Sequence, residues 1–264
     1  MSYVEVVTKQ AFETFIDSND TRIKKIEDKV FAVSPPVPVQ GKTGFYWAGY
    51  VSPSSTVWDT VINKKKAFPT VPFLVAINPA SGVGSSKNTA LASRVTAMQA
   101  VGIIVIGYVY TSYGNRSQAV IQNEINLYKQ WYNINGIFFD EMANTQGLET
   151  YYSALNAYTK SQISNGFTMG NPGTDSRASY VGTMDNLIIY ERAGLPTLDS
   201  LKGWHTSFDK KNFSIIPYGV ATLTSQQVKD YATVCGWLYI TNDTLPNPWD
   251  SLSIHTDTIV NALV

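Results

Sequence analysis

Gly136-Ile137-Phe138-Phe139-Asp140-Glu141 is the stretch that decides the fold, because it is a short apolar run ending in two acids. Similar apolar, β-branched or aromatic runs recur along the chain, with longer stretches of helical periodicity between them. The eight runs are Phe45–Val51, Phe73–Asn78, Ile103–Tyr108, Gly136–Asp140, Phe167–Gly170, Asn186–Glu191, Phe213–Tyr218 and Gly236–Thr241. Most of their starts are far enough apart for a crossover helix, which is typical of parallel strands.

Eight such units predict an α/β protein with the (β/α)8 TIM-barrel fold. Lys87–Val101, Ser117–Tyr132 and Leu148–Gln162 each present one apolar face, as the outer helices of a barrel do. The fifth and sixth runs start only 19 residues apart, which leaves room for a short helix or a loop. A doubly wound open sheet is therefore the alternative fold.

The N-terminal residues 1–34 follow a different pattern, in which seam positions recur every three or four residues. These positions are Phe12, Ile16, Asn19, Ile23, Ile26, Val30 and Val33. The pattern predicts a helical, coiled-coil segment, and a homotrimer through residues 12–33 is one arrangement it favours. An amphipathic helix docked on its own domain is the alternative. Residues 35–42 are rich in proline and predict a stiff linker, with the barrel spanning residues 43–264.

Composition excludes several classes of protein. Lys and Arg number 20, and so do Asp and Glu, so no basic excess points to nucleic acid. One cysteine and two histidines cannot form an internal disulfide or a Cys/His zinc cluster, and no metal or other cofactor is predicted. No run of 18 apolar residues predicts a membrane span, and no signal peptide is visible. The phosphate-loop pattern and the Gly-x-Ser-x-Gly nucleophile elbow are also missing.

Three acids lie at the ends of predicted strands: Asp140, Glu141 and Glu191. Chemistry in a barrel collects at the carboxyl ends of the strands. A carboxylate that follows four apolar residues lies at the edge of a low-dielectric region, where burial and like charges separate the pKa values of neighbouring acids. Glycoside hydrolysis requires one protonated and one ionised acid. The alternative is that these acids cap the following helices.

Aromatic and amide side chains at the same strand ends are candidate sugar contacts, because a flat ring with a polar edge suits a sugar ring. Core packing is the alternative for part of this set. The candidates are Tyr46, Asn78, Tyr108, Tyr110, Tyr113, Asn171, Tyr190, Tyr218 and Asn242, with Trp47 and Tyr50 in the same aromatic cluster.

Five motifs occur in the order and spacing of the spherulin-4-like family, which residues 43–264 resemble. They are Asn78–Gly84, Gly107–Gly114, Gly136–Glu141, Asn171–Thr174 and Tyr190-Glu191. The resemblance implies a (β/α)8 barrel that hydrolyses α-1,4-linked N-acetylgalactosamine in exopolysaccharide, and related barrels cut deacetylated galactosamine. It places the family's acidic pair on Asp140 and Glu141 and a third acid on Glu191. Ala80 and Val83 depart from the family's usual Asn and Pro.

The sequence therefore predicts an endo-acting glycoside hydrolase of amino-sugar polysaccharide that needs no cofactor. Glu191 is the predicted general acid and Asp140 the nucleophile or base, with Glu141 positioning it, although Asp140 and Glu141 could exchange roles. The expected location is extracellular, at a cell surface or on a virion, where a coiled coil, a linker and a barrel would suit a tail spike. The alternative function is a non-catalytic carbohydrate-binding or structural surface protein.

Overall fold

Eight strands pair in sequence order and close into a barrel in the computed structural model, which describes residues 41–264. Each strand runs parallel to the next, and the last pairs with the first. The strands are β1 (Gly44–Gly49), β2 (Phe73–Ile77), β3 (Ile104–Tyr110), β4 (Gly136–Asp140), β5 (Phe167–Gly170), β6 (Asn186–Tyr190), β7 (Phe213–Ile215) and β8 (Trp237–Leu238). The predicted TIM barrel is confirmed, and the open-sheet alternative is wrong.

Six α-helices follow strands of the barrel. They are α1 (Val57–Ala67), α2 (Thr89–Ala100), α3 (Gln118–Tyr132), α4 (Glu149–Gln162), α5 (Ser225–Tyr231) and α6 (Thr256–Ala262). The short fifth-to-sixth spacing is bridged by a 3-10 turn, Ala178–Tyr180, and the β6–β7 connection also consists of 3-10 turns. Helix α5 begins with a capping box, in which Thr224 accepts from the Gln227 backbone N–H and the Gln227 side chain accepts from the Thr224 backbone N–H.

The described residues leave two predictions open. The coiled-coil segment of residues 1–34 and nearly all of the linker lie outside them, so this domain organisation stays a prediction. Within residues 41–264, every helix is too short or too polar to cross a membrane.

The strands are buried on both faces, because the outer helices cover one side and the barrel interior fills the other. Successive side chains of β1 point alternately into the barrel and towards the outer helices. Tyr46 faces the interior, where it packs beside Phe138, whereas Trp47 packs against Trp58 of α1. Trp47 therefore belongs to the layer between strand and helix and not to a cleft.

Gly136 opens β4 at a point where two strands come very close. A Cβ at this position would lie 1.9 Å from the backbone oxygen of Phe167 in β5. Backbone atoms of a paired strand cannot move aside as a flexible side chain can, so only glycine fits here. This close approach keeps β4 and β5 in register: Gly136 pairs with Phe167 and Phe139 with Gly170.

We therefore expect Gly136→Ala to destabilise the barrel severely, by about 3 kcal/mol or more, because it must break strand pairing to fit. Thermal unfolding followed by circular dichroism measures this as a fall in Tm or as loss of soluble protein. A variant that melts within two or so degrees of the parent would contradict the close approach.

Candidate active site

The carboxyl ends of β1 to β7 and the connection after β8 line one cavity of about 430 Å³ at the carboxyl-terminal face of the barrel. Its lining residues are Tyr46, Ala48, Tyr50, Asn78, Ser81, Tyr108, Phe138, Asp140, Asn171, Glu191, Ile216, Asn247 and Trp249. A second cavity of about 440 Å³ lies at the opposite end of the barrel, around Trp237, Lys160 and Asp185. Barrel enzymes keep their chemistry at the carboxyl-terminal face, so the first cavity is the candidate active site.

Asn171 connects the two acids of the cavity. Its Nδ2 donates to Oδ1 of Asp140 and to Oε2 of Glu191, each at 2.8 Å. Because one nitrogen makes both bonds, these two carboxylate oxygens lie within twice 2.8 Å of each other. The Asn171 Oδ1 accepts from the Gly173 N–H at 3.0 Å, so the whole amide is engaged within the protein.

Main-chain pairing fixes the position of Asn171, which directly follows β5. Its N–H donates to the Phe139 carbonyl and its carbonyl accepts from the Met142 N–H, both at 2.8 Å. These bonds extend the pairing of β4 with β5 past the end of the strand. The amide thus lies between the acids of the neighbouring strands β4 and β6.

Burial raises the pKa of both acids. For Glu191 the loss of solvent raises the pKa to about 7, with the Asp140 charge adding to the rise and the Asn171 hydrogen bond opposing it. Burial also raises the pKa of Asp140, against hydrogen bonds from Tyr108, the Glu141 backbone and Asn171. Three hydrogen bonds favour the ionised form of Asp140, whereas one hydrogen bond favours the ionised form of Glu191.

Glu141 lies beside this pair without lining the cavity. Its backbone has a φ of 49°, in the left-handed region that non-glycine residues rarely occupy. Its carbonyl accepts from the Tyr113 N–H and the Thr111 hydroxyl, both at 2.7 Å, which holds this conformation. The structure therefore brings Asp140 and Glu191 together and leaves the Glu141 side chain outside the lining.

Four of the predicted sugar contacts line the cavity: Tyr46, Asn78, Tyr108 and Asn171. Phe138 stacks between two of them, with ring centroids 6.1 Å from Tyr46 and 6.0 Å from Tyr108. Asn78 is tied to the loop after β2, since its Oδ1 accepts from the Gly82 N–H at 2.9 Å. The three rings form an aromatic floor beneath the acids.

The other five predicted contacts lie outside the cavity lining. The ring of Tyr110 lies 4.0 Å from the Arg116 guanidinium, and the ring of Tyr218 packs edge-on against Trp249. The remaining three are Tyr190, which donates to the Gly194 carbonyl, Asn242, which accepts from the Ile254 N–H, and the exposed Tyr113.

Sequence reasoning missed Ser81, Asn247 and Trp249. The last two lie in the long connection between β8 and α6, which folds back over the cavity. Its backbone is held at Ser251, whose carbonyl accepts from Trp47 Nε1 and the Tyr239 hydroxyl. The available signal was a tryptophan within a proline-containing loop that follows the last strand.

His205 fixes the loop after β5. Its Nε2 lies 2.9 Å from Asp175 Oδ1 and its Nδ1 lies 2.7 Å from the Lys202 carbonyl. Burial lowers the pKa of His205, but these two acceptors outweigh burial and raise it overall.

Across residues 41–264 no three His, Cys, Asp or Glu side chains are grouped closely enough to hold a metal ion.

A (β/α)8 barrel with two half-buried carboxyls sharing a donor at its carboxyl-terminal face has the architecture that glycoside hydrolases use. Residues 44–263 match the spherulation-specific family 4 (Spherulin4), and the chain belongs to this family. Spherulin-4 of Physarum polycephalum is 31% identical over 157 residues, which are 59% of this chain and 46% of that protein. The chain thus matches less than half the length of this relative. The predicted family is confirmed.

Solved structures share the fold at low sequence identity. Aspergillus clavatus Sph3 in complex with GalNAc superposes with a TM-score of 0.75 at 19% identity, covering 84% of this chain and 97% of that one. The GH18 chitinase ChiB of Flavobacterium johnsoniae gives 0.53 at 10% identity, with 84% and 94% covered. The β-mannanase of the blue mussel Mytilus edulis gives 0.51 at 7% identity, with 84% and 90% covered.

We expect Asn171→Leu to raise the pKa of Glu191 above about 7, because it removes the one side-chain donor that opposes burial. Carbon NMR titration of labelled glutamate carboxyls measures this shift. Asn78→Leu is the matched control, since Asn78 lies in the same cavity but bonds to the Gly82 backbone instead of the acids. An unchanged or lowered Glu191 pKa in Asn171→Leu would contradict the role of the shared amide.

Proposed function

We propose that the chain is a glycoside hydrolase that cleaves amino-sugar polysaccharide through Asp140 and Glu191. The observation that carries this proposal is the shared Asn171 amide, which holds the two carboxyls side by side in an open cavity. Glu191 is the general acid, because its pKa of about 7 keeps it protonated in mildly acidic solution. Asp140 is the nucleophile, because it has more hydrogen-bond donors to its ionised form.

The spacing of the acids supports retention of anomeric configuration. Retaining enzymes hold their carboxyls about 5–5.5 Å apart, and inverting enzymes about 6.5–9.5 Å apart. Oxygens within twice 2.8 Å of each other fit the shorter range and leave no room for a water molecule between acid and sugar.

The proposed reaction has two steps. Asp140 attacks the anomeric carbon while the glycosidic bond breaks and Glu191 gives its proton to the leaving oxygen. Glu191, now ionised, takes a proton from a water molecule, whose oxygen attacks the same carbon and releases Asp140. Each carboxyl returns to its starting state, and Glu141 contributes by holding the backbone that carries Asp140.

Galactosamine or N-acetylgalactosamine polymers are the proposed substrates, and cleavage within the polymer is part of the proposal. Support comes from membership in the spherulation family and from the fold shared with Sph3, which was solved with GalNAc. Tyr46, Asn78 and Tyr108 are the proposed contacts in the subsite where cleavage occurs. Asn171 is assigned to the acids instead, because its amide is fully engaged by them and by Gly173.

Five of the residues predicted from sequence stay predictions as contacts for sugars beyond the cavity. They are Tyr110, Tyr113, Tyr190, Tyr218 and Asn242. Homotrimer formation through residues 12–33 and an extracellular or virion-associated location also stay predictions from the sequence. A binding protein without catalysis remains the alternative that the activity measurements below separate from hydrolysis.

The cleavage rate plotted against pH should give a bell-shaped profile. It should fall as the pH rises through about 7, because Glu191 loses the proton that it must donate. It should also fall in acid, at a pH above the ordinary aspartate range, because burial raises the pKa of Asp140. Initial rates of reducing-end release across pH 3 to about 10 measure both limbs. A rate that keeps rising to pH 9 or so would remove Glu191 as the acid.

Asp140→Asn and Glu191→Gln should each lower cleavage by about a thousandfold or more, since each removes an acid on which the reaction depends. Release of reducing ends measures the rate, and proton NMR of the first product reports its anomer. Asp199→Asn is the matched control, because that aspartate is exposed and forms a surface ion pair with Lys202. Near-parental activity in either cavity variant would exclude that residue from the mechanism.

Loss of activity in Glu191→Gln should not reflect unfolding. A folded-state pKa raised from about 4.5 to about 7 means that ionisation of Glu191 costs stability as the pH rises through that window. The glutamine variant should therefore unfold at a temperature equal to or above that of the parent at pH 8 or so.

A parent that binds the polymer without cutting it would favour the binding-protein alternative.

A further inference from the structure

Tyr46 carries a hydroxyl that has no hydrogen-bond partner among residues 41–264. It is one of three buried side-chain polar atoms in the described part of the chain that lack a hydrogen bond, the others being in Tyr128 and Ser176. Among these three residues, Tyr46 alone lines the cavity. A buried donor without a partner is costly, so such a group in a native protein calls for an explanation.

Contacts with neighbouring rings fix the side chain of Tyr46 in the lining of the cavity. The residue is 0% exposed, and its ring is fixed by stacking on Phe138 and by edge contact with Tyr239. Burial raises its pKa well above the ordinary value, and the charges of Asp140 and Glu191 raise it further. The hydroxyl is therefore neutral and can donate a hydrogen bond, and Tyr46 lines the same cavity as both carboxyls.

Only a group that enters the cavity can pair with this donor. The ring is held on both sides, so the hydroxyl cannot turn away to find a protein partner. A water molecule that paired with it would be displaced by a sugar seated between the acids. The part of that sugar nearest both carboxyls is the anomeric carbon with its neighbour C2, and hydrogen bonds to a 2-hydroxyl strengthen in the transition state of glycosidases.

We propose that the Tyr46 hydroxyl donates a hydrogen bond to the C2 substituent of the sugar whose glycosidic bond is cut, which makes Tyr46 a catalytic residue. The inference rests on the proposed hydrolase function and adds to it a residue and an atom of the substrate. An N-acetyl group or a hydroxyl at C2 offers the oxygen acceptor that this donor requires, whereas an ammonium group offers none.

Tyr46→Phe tests the proposal, because it removes one oxygen and keeps the stacked ring. Tyr128→Phe is the matched control, since it also deletes a buried hydroxyl without a partner, at a site between β3 and α3 outside the cavity. Neither change should lower Tm, because each removes an unsatisfied polar group. On N-acetylgalactosamine polymer, kcat/KM should fall about 10- to 100-fold in Tyr46→Phe, mostly in kcat, and stay at the parental value in Tyr128→Phe.

The outcomes separate this inference from the proposed function. An active parent with an equally active Tyr46→Phe variant overturns the role of Tyr46 and leaves the hydrolase standing. A parent that cuts no amino-sugar polymer overturns the hydrolase itself. A relative loss in Tyr46→Phe that is as large on deacetylated polymer as on N-acetylated polymer overturns the C2 contact.

A structure of Glu191→Gln with a short N-acetylgalactosamine oligomer gives a second measurement that does not need Tyr46 to be changed. The Tyr46 Oη should lie within about 3.2 Å of an oxygen on the C2 substituent. A separation beyond about 4 Å, with the sugar seated between residues 140 and 191, would overturn the proposal.

Discussion

A single side-chain amide joins the two acids and opposes the rise that burial causes in the pKa of each. Asn171 bonds to Asp140 and Glu191 through one nitrogen, and it can do so because β4, β5 and β6 are neighbours in one parallel barrel. The close approach at Gly136 keeps the first two of these strands in register. Without the amide, the two carboxyls would have no hydrogen-bond donor between them. Each negative charge would then raise the pKa of the other acid without opposition from that donor.

The roles proposed for the two acids follow from unequal hydrogen bonding more than from residue type. Burial raises the pKa of both, and it is the largest cause at each. Asp140 has three opposing donors, namely Tyr108, the Glu141 backbone and Asn171, whereas Glu191 has Asn171 alone. The shared amide acts on both acids alike, so the difference between them comes from the two further donors at Asp140, Tyr108 and the Glu141 backbone.

Much of this arrangement could be predicted from sequence, because it depends on strand order and not on side-chain detail. The predicted bounds of β4 and β5 are those observed, and parallel pairing brings the ends of β4, β5 and β6 to one rim. The period of two along β4 also explains why Phe138 and Asp140 both line the cavity. Asn247 and Trp249 could not be found this way, since the β8–α6 connection has no period and its path depends on tertiary contacts at Ser251.

The two ends of the barrel differ in how their polar groups are satisfied. At the amino-terminal end, Lys160 pairs with Asp185, and the buried Lys65 donates to the carbonyls of Pro69 and Val71. The carboxyl-terminal end holds two acids with raised pKa values, a left-handed Glu141 and the unpartnered Tyr46 hydroxyl. Each of these features costs stability, and nothing in the packing of a barrel requires them. Their concentration around one cavity is what a site shaped for a ligand predicts, since the missing partners are supplied only when that ligand binds.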